Sequence, residues 1–299
     1  MQSFFEITYM RFLFIMNPSS GRTSNDEAVG AINATLAEWG FSHQIFHTTG
    51  ENDEQSIAAL IAEFVPDVLV ACGGDGTVQL TAKILISKNI LLGILPLGSA
   101  NGLAKALDIP EKINDALELV VRNPNHVPLD LLSVNDHICV HVSDIGVNAL
   151  LVKSYEESGD KGMIGYAKHL MPSIRESELM HYTIITPEGT YLEKGYMLMI
   201  ANANRYGTGV KISDGNVSDG LFEICNVKEI DFPSVVKAGL TALNVFVDSD
   251  MFSDVITCTR AEIKIDRNAH FQVDGEYLGE TDYIKVKILP AALRVIVNE

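Results

Sequence analysis

The segment that most constrains this chain is an apolar run, Asp67-Val-Leu-Val-Ala-Cys72, that opens directly into Gly73-Gly74-Asp75-Gly76-Thr77 and then into a helical pattern. A buried strand, a glycine-rich turn and a helix make up part of a βαβ crossover. The alternation recurs on both sides. Arg11 to Met16 is apolar and ends at Asn17-Pro18-Ser19-Ser20-Gly21. Val29, Ile32, Leu36 and Trp39 then fall on one helical face, with Asp26 and Glu27 at the positive start and Gly40 at the end. Phe41 to His47 reads as a strand. Ile57, Leu60, Ile61 and Phe64 form a second stripe, which Pro66 ends. Ile90 to Leu95 is a fourth strand, followed by Pro96-Leu97-Gly98-Ser99-Ala100-Asn101 and a short helix. Such crossovers are right-handed and give a parallel sheet, with ligands beyond the carboxyl ends of its strands. All three glycine-containing loops fall there.

After Val127 the texture changes. Leu129–Val134, His137–Asp144, His181–Thr186, Tyr191–Ala201, Leu221–Val227, Ala261–Ile265, His270–Val273 and Asp282–Leu289 read as strands separated by turn signals. Helix is expected within Asn148–Ser177 and over Phe232–Val247. The reading is two domains: residues 10–127, α/β with a parallel sheet, and residues 128–299, a mostly antiparallel β-sandwich. A last strand, 293–297, returns to the first domain in this reading. Met10 directly precedes the first strand, so residues 1–9 read as an extension or an upstream start.

Acidic residues number 39 against 22 basic, and the net charge is −17. Both halves are acidic, so neither reads as a nucleic-acid module. Phosphates would have to be held by backbone amides, metal ions and a few placed cations. The four cysteines, Cys72, Cys139, Cys225 and Cys258, form no CxxC pair and read as reduced thiols of a cytoplasmic protein. The longest uncharged run, Asn89 to Ala104, is too short to span a bilayer and is broken by Pro96. The eight histidines form no HExxH motif, and Ser19 and Ser20 lack a GxSxG elbow, which argues against zinc-protease and serine-hydrolase patterns.

Glycines at Gly73, Gly74 and Gly76 let backbone approach a phosphate and aim N–H groups at it, and the following helix adds its positive end. Asp75 would repel a phosphate unless a cation mediated, which implies magnesium. A plain strand–helix turn would need one glycine, not three around an acid and a threonine. The segment is no Walker A loop, because no Lys-Ser/Thr follows, and no dinucleotide fingerprint, because the third glycine is missing.

At this point the sequence resembles the diacylglycerol kinase catalytic domain, shared with sphingosine kinases, ceramide kinases and bacterial lipid kinases. Asn17-Pro18-Ser19-Ser20-Gly21 is similar to their first nucleotide loop, His47-Thr48-Thr49 to their threonine site, and Gly73 to Thr77 to their GGDGT signature. Pro96-Leu97-Gly98-Ser99-Ala100-Asn101 resembles their PxGTxN loop, and Val273-Asp274-Gly275-Glu276 their VDGE segment. The motifs occur in family order along nearly the whole chain. NAD kinases and phosphofructokinases share the GGDG turn and the type of first domain, but not the flanking motifs.

The resemblance implies a magnesium-dependent ATP:lipid kinase. Asn17, Pro18, Ser19, Ser20, Gly21, Thr48, Gly73, Gly74, Gly76, Thr77, Ser99 and Asn101 would line the nucleotide site. Arg22, just after the first loop, would reach a phosphate or stand as a solvated surface arginine. Asp75 would place the catalytic magnesium, and Glu276 would be the general base, although Asp274-Gly275-Glu276 alone also reads as a hairpin turn. A structural magnesium would be held by Asp219 with groups at Asn216 and Leu221. Two departures stand out: Val78-Gln79-Leu80 replaces x-Asn-Glu after Thr77, and Gly102 replaces an aspartate after Asn101. They leave the acceptor open between a diacylglycerol-like and a sphingoid-like lipid, with a nucleotide- or lipid-binding regulator as the alternative. The lipid would be met by peripheral membrane contact. The basic and apolar stretch Leu150 to Arg175 is the candidate surface. A homodimer is one assembly the sequence leaves open.

Overall fold

A computed structural model describes residues 10–20, 25–99, 101–122, 125–158, 162–202, 205–206, 210–211, 217–228 and 252–298; side chains of residues 162–167, 205–206, 210–211 and 252–254 are not described. Residues 1–9, Gly21, Arg22, Lys161, Asn216 and the helix expected over Phe232–Val247 lie outside these residues. The chain divides into two compact units. One comprises residues up to Gly98, Asp108–Val127 and the residues from Leu293 onward; the other comprises Ser99–Leu107 and Pro128–Ala292.

The first unit alternates strand and helix: β1 (Arg11–Met16), α1 (Asn25–Trp39), β2 (Ser42–His47), α2 (Asp53–Phe64), β3 (Val68–Gly73), α3 (Asp75–Leu85) and β4 (Leu91–Pro96). The strands are parallel in the order β2-β1-β3-β4. Phe12 to Met16 and Val68 to Cys72 are fully buried. Burial on both sheet faces is why these strands read as unbroken apolar runs rather than as alternation. Helix α1 buries Ala28, Ile32 and Leu36, whereas Trp39 is 38% exposed. The periodicity placed Trp39 on the inner face; it instead stacks on Phe41 beneath the Arg122 guanidinium. Helix α5 (Ile113–Arg122), which follows α4 (Gly102–Ala106), packs on β4. A Cβ on Gly93 would stand 3.1 Å from the Val120 methyls, so glycine admits this close approach.

The second unit holds β5 (His126–Val134), β6 (His137–Cys139), β7 (Val142–Gly146), α6 (Val147–Ser158), α7 (Gly162–Glu176), β8 (Met180–Ile185), β9 (Thr190–Gly195) and β10 (Met197–Ala201). It continues through a two-residue pair, β11 (Arg205–Tyr206) with β12 (Val210–Lys211), then β13 (Phe222–Val227), β14 (Phe252–Cys258), β15 (Arg260–Val273) and β16 (Glu276–Ile296). Antiparallel pairing runs β14-β13-β10-β7-β15-β16, with β8 and β9 added beside β15. Ile145, Leu198, Phe222, Ile263, Phe271 and Ile284 fill one buried layer. Met197, Met199, Cys225 and Val227 face the other way and are covered by Val147 and Leu151 of α6 and Leu170 of α7.

Three differences from the sequence reading have physical causes. Strands expected separately over 261–265 and 270–273 are one strand, because register shifts between Lys264 and Ala269 absorb polar Asp266-Arg267-Asn268. The expected strands 282–289 and 293–297 are likewise the continuous β16, whose end pairs parallel with β4 at Val295 and Leu92. Conversely, the strand expected over His137–Asp144 is broken at Val140 and His141, where a carboxylate takes the backbone amides. Of the stretch proposed to meet a membrane, Leu150, Leu151 and Leu170 are core residues, and Lys153 lies over the Tyr277 ring. All four cysteines are buried and free of disulfides. Among the described residues, no helix is long and apolar enough to cross a membrane.

Candidate active site

In the first unit the strand-end loops are tied to one another by backbone hydrogen bonds. Asn17 N–H donates to Cys72 O at 3.1 Å, Thr48 N–H to Met16 O at 2.8 Å, and the Leu97 and Gly98 amides to Gly73 O at 3.0 and 3.2 Å. The carboxyl ends of β1, β2, β3 and β4 therefore form one edge, and Asn17, Thr48, Gly73 and Gly98 share it. The first loop closes on Asn17, whose Oδ1 accepts the Ser19 amide at 2.9 Å while its carbonyl accepts the Ser20 hydroxyl at 2.9 Å. This is the side-chain turn that asparagine favours. Pro18 and Ser19 are left exposed.

The glycines of the central turn have different reasons. A Cβ on Gly73 would stand 2.1 Å from Thr77 Oγ1, and one on Gly74 3.3 Å from Gly98 Cα. A Cβ on Gly76 would meet nothing within 4 Å. Gly73 and Gly74 thus serve packing and close approach. Packing makes no such demand at Gly76. Helix α3 starts at Asp75, a half-buried acid in its first turn. Thr77 is buried, and its amide bonds to Gly74 O at 3.0 Å. Ser99, counted with the second unit, is exposed; Asn101 is buried and left-handed at φ 54 as it opens α4.

In the second unit the tip of the β15–β16 hairpin carries Asp274, Gly275 and Glu276, with φ of 50 and 86 at the first two. The Asp274 carboxylate accepts the amides of Val140, His141 and Val142 at 2.7, 2.9 and 3.0 Å. Burial pushes this carboxyl up, and the three amides pull it back toward ionisation. Gln272 braces the same tip: its Oε1 accepts the Gly275 amide at 2.7 Å, and its Nε2 donates to the buried Asp144, which also accepts from Asn148. The Tyr277 amide donates to Glu156 of α6 at 3.2 Å. Glu276 is consequently an exposed acid on an anchored turn.

The expected metal loop is only partly described. Asp219 is exposed, and its Oδ1 accepts the Leu221 amide at 2.9 Å; Asn216 lies outside the described residues. What holds the loop is Asp130, a residue the sequence reading passed over. Asp130 is 2% exposed; its carboxylate accepts the Gly220 amide at 2.7 Å and the Ala291 amide at 2.6 Å, and its own amide donates to Val217 O. The signal was a lone acid in an apolar strand, Leu129-Asp130-Leu131. Among the described residues no group of three or more His, Cys, Asp or Glu side chains is placed to hold a metal ion.

Against this geometry, comparisons with known proteins give a consistent result. The diacylglycerol kinase catalytic domain matches residues 11–134, and the YegS C-terminal NAD kinase beta sandwich-like domain matches residues 142–297. The chain belongs to the diacylglycerol-kinase-like family of lipid kinases. Diacylglycerol kinase of Bacillus subtilis is 26% identical over 283 residues, 90% of each chain. A Yersinia pseudotuberculosis protein named "Probable lipid kinase YegS-like" is 27% identical over 297 residues, covering 94% of this chain and 95% of its own. A crystal structure of a Bacillus anthracis diacylglycerol kinase shares the fold, with TM-score 0.75, 22% identity, and 97% and 98% coverage. The expected α/β fold with an antiparallel β-sandwich is the observed one.

Proposed function

We propose that this lipid kinase transfers the γ-phosphoryl group of ATP, with magnesium, to a hydroxyl of a diacylglycerol-like or sphingoid-like lipid. The observation that carries the reading is the shared loop edge of the first unit, where backbone bonds tie the strand ends at Asn17, Thr48, Gly73 and Gly98 together and Asp75 opens α3. Phosphoryl transfer needs positioning and charge stabilisation more than covalent chemistry. Loop amides and the α3 N-terminus hold phosphate oxygens in this reading, and Asp75 is the residue that would hold magnesium there. The metal supplies neutralisation of the charge on the transferred group. Glu276, exposed on its anchored turn, accepts the hydroxyl proton as the acceptor attacks. Asp219 would hold a second, structural magnesium in a loop fixed by Asp130. Gly21 and Arg22 belong to the proposed nucleotide loop by sequence alone. Because the acceptor is a lipid, the enzyme works at a membrane surface by peripheral contact.

The test is ATP turnover by the full chain on mixed lipid vesicles, with magnesium and with excess chelator. Turnover that requires both lipid and metal is expected. Tight ATP binding without turnover would favour the regulator reading, which the absence of acids at Leu80 and Gly102 motivates.

A further inference from the structure

Buried polar atoms almost always find partners, so those that do not point to something missing. Among the described residues, four buried side-chain atoms have no hydrogen-bond partner: both ring nitrogens of His141, Oδ1 of Asn202 and Oδ1 of Asp144. Three of the four belong to one adjacent pair. His141 is 8% exposed and Asn202 2%, and the Asn202 amide donates to the His141 carbonyl at 3.0 Å as β10 leaves β7. The Asn202 side-chain nitrogen is already used on the carbonyls of Asp130 and Val140, so Oδ1 can be satisfied only by a donor. A neutral imidazole wants one donor and one acceptor.

The pair sits at the turn that carries Glu276. The His141 amide donates to the Asp274 carboxylate at 2.9 Å, and the His141 imidazole is close enough to act electrostatically on that carboxylate. Asp274 stands two residues before Glu276. A hydroxyl both donates and accepts, so it matches what Asn202 and His141 lack together. We infer that His141 and Asn202 form a subsite for the polar head of the acceptor, binding a hydroxyl of the lipid beside the proposed base. This rests on the kinase reading above and names the residues that recognise its substrate. Asn202 also anchors two carbonyls, so His141 is the residue to vary.

The experiment measures initial rates of label transfer from γ-labelled ATP to a short-chain diacylglycerol and, separately, to a sphingoid base, both in detergent micelles. His141→Ala should raise the acceptor KM roughly tenfold or more and leave the ATP KM within about twofold. His141→Gln, which keeps a donor and an acceptor, should recover most of that loss. His141→Met, close in volume and apolar, should behave as His141→Ala, and melting temperatures establish that each variant folds. An unchanged acceptor KM in folded His141→Ala or His141→Met overturns the subsite and assigns the unpaired atoms to water. Equal rises in both KM values, or failure of all three variants to fold, assign His141 to the fold and overturn the subsite as well. If the parent enzyme labels neither acceptor, the kinase reading fails and takes the subsite with it; label with unchanged acceptor KM removes the subsite alone.

Discussion

Asp75 and Glu276 each stand at a turn, and the two turns are held in opposite ways. Around Asp75 the closing groups are local: the Thr77 and Val78 amides bond to Gly74 O, and the Thr77 side chain fills the space that forces glycine at Gly73. Around Glu276 they are remote in sequence: Asp274 reaches amides 132 to 134 residues away, and Gln272 reaches Asp144 across 128. A locally closed turn writes its requirements into adjacent residues. A turn closed from afar leaves a short, unremarkable string, which is why Asp274-Gly275-Glu276 read equally well as a hairpin.

The largest expected effect tests the local turn. Asp75→Asn should nearly abolish turnover, because losing a metal-positioning charge removes several kcal/mol of transition-state stabilisation. The variant should still fold, so that the loss is one of turnover and not of structure. Near-parental turnover in a folded Asp75→Asn would remove the role assigned to it. Next, Glu276→Gln should lower kcat by roughly 10²–10⁴-fold, the range of acid–base catalysis, with the ATP KM little changed. A parental kcat would return Glu276 to being a hairpin acid.

A smaller pair of effects sharpens the contrast within one turn. Gly73→Ala should cost about 1–3 kcal/mol of stability, because the new methyl would overlap Thr77. Gly76→Ala has open space and should be nearly neutral for folding, yet raise the ATP KM if this glycine admits a phosphate. Thermal melts and ATP kinetics on both variants check this; equal stability losses would mean that packing governs both positions.

The smallest effect concerns the remote bracing of the second turn. Burial pushes the Asp144 carboxyl up to about 7 from an ordinary 3.8. Folding therefore favours its neutral form; that stabilisation is full below the ordinary value and is lost as pH rises through about 7. Asp144→Asn cannot titrate. Its melting temperature relative to the parent should climb between about pH 4 and pH 7 and then level off. A difference that does not vary with pH would show that Asp144 is ionised throughout.

The same distinction explains what could be read from the sequence. The first unit was legible almost element by element, since fully buried parallel strands and helical stripes are patterns within ten or fifteen residues. Trp39 escaped because its periodicity matched the core face while its ring found Phe41 and Arg122 outside. In the second unit, Asp130 and His141 were missed because their importance lies in partners brought from Gly220, Ala291, Asp274 and Asn202. The break in the strand at Val140 could not be foreseen without knowing that Asp274 would arrive to take its amides. Likewise, part of the mixed pattern of Leu150 to Arg175 comes from Leu151 and Leu170, which cover β10 and β13.

The claim on which the rest depends is that ATP and a lipid meet on this chain. The most direct measurement incubates the full chain with γ-labelled ATP, magnesium and a total lipid extract, then asks which lipid class carries label. The expected result is label in the organic phase on a single class of hydroxyl-bearing lipid, lost on chelation of magnesium and in Asp75→Asn. Label that stays in the aqueous phase as inorganic phosphate, or lipid labelling that Asp75→Asn leaves intact, would contradict the account.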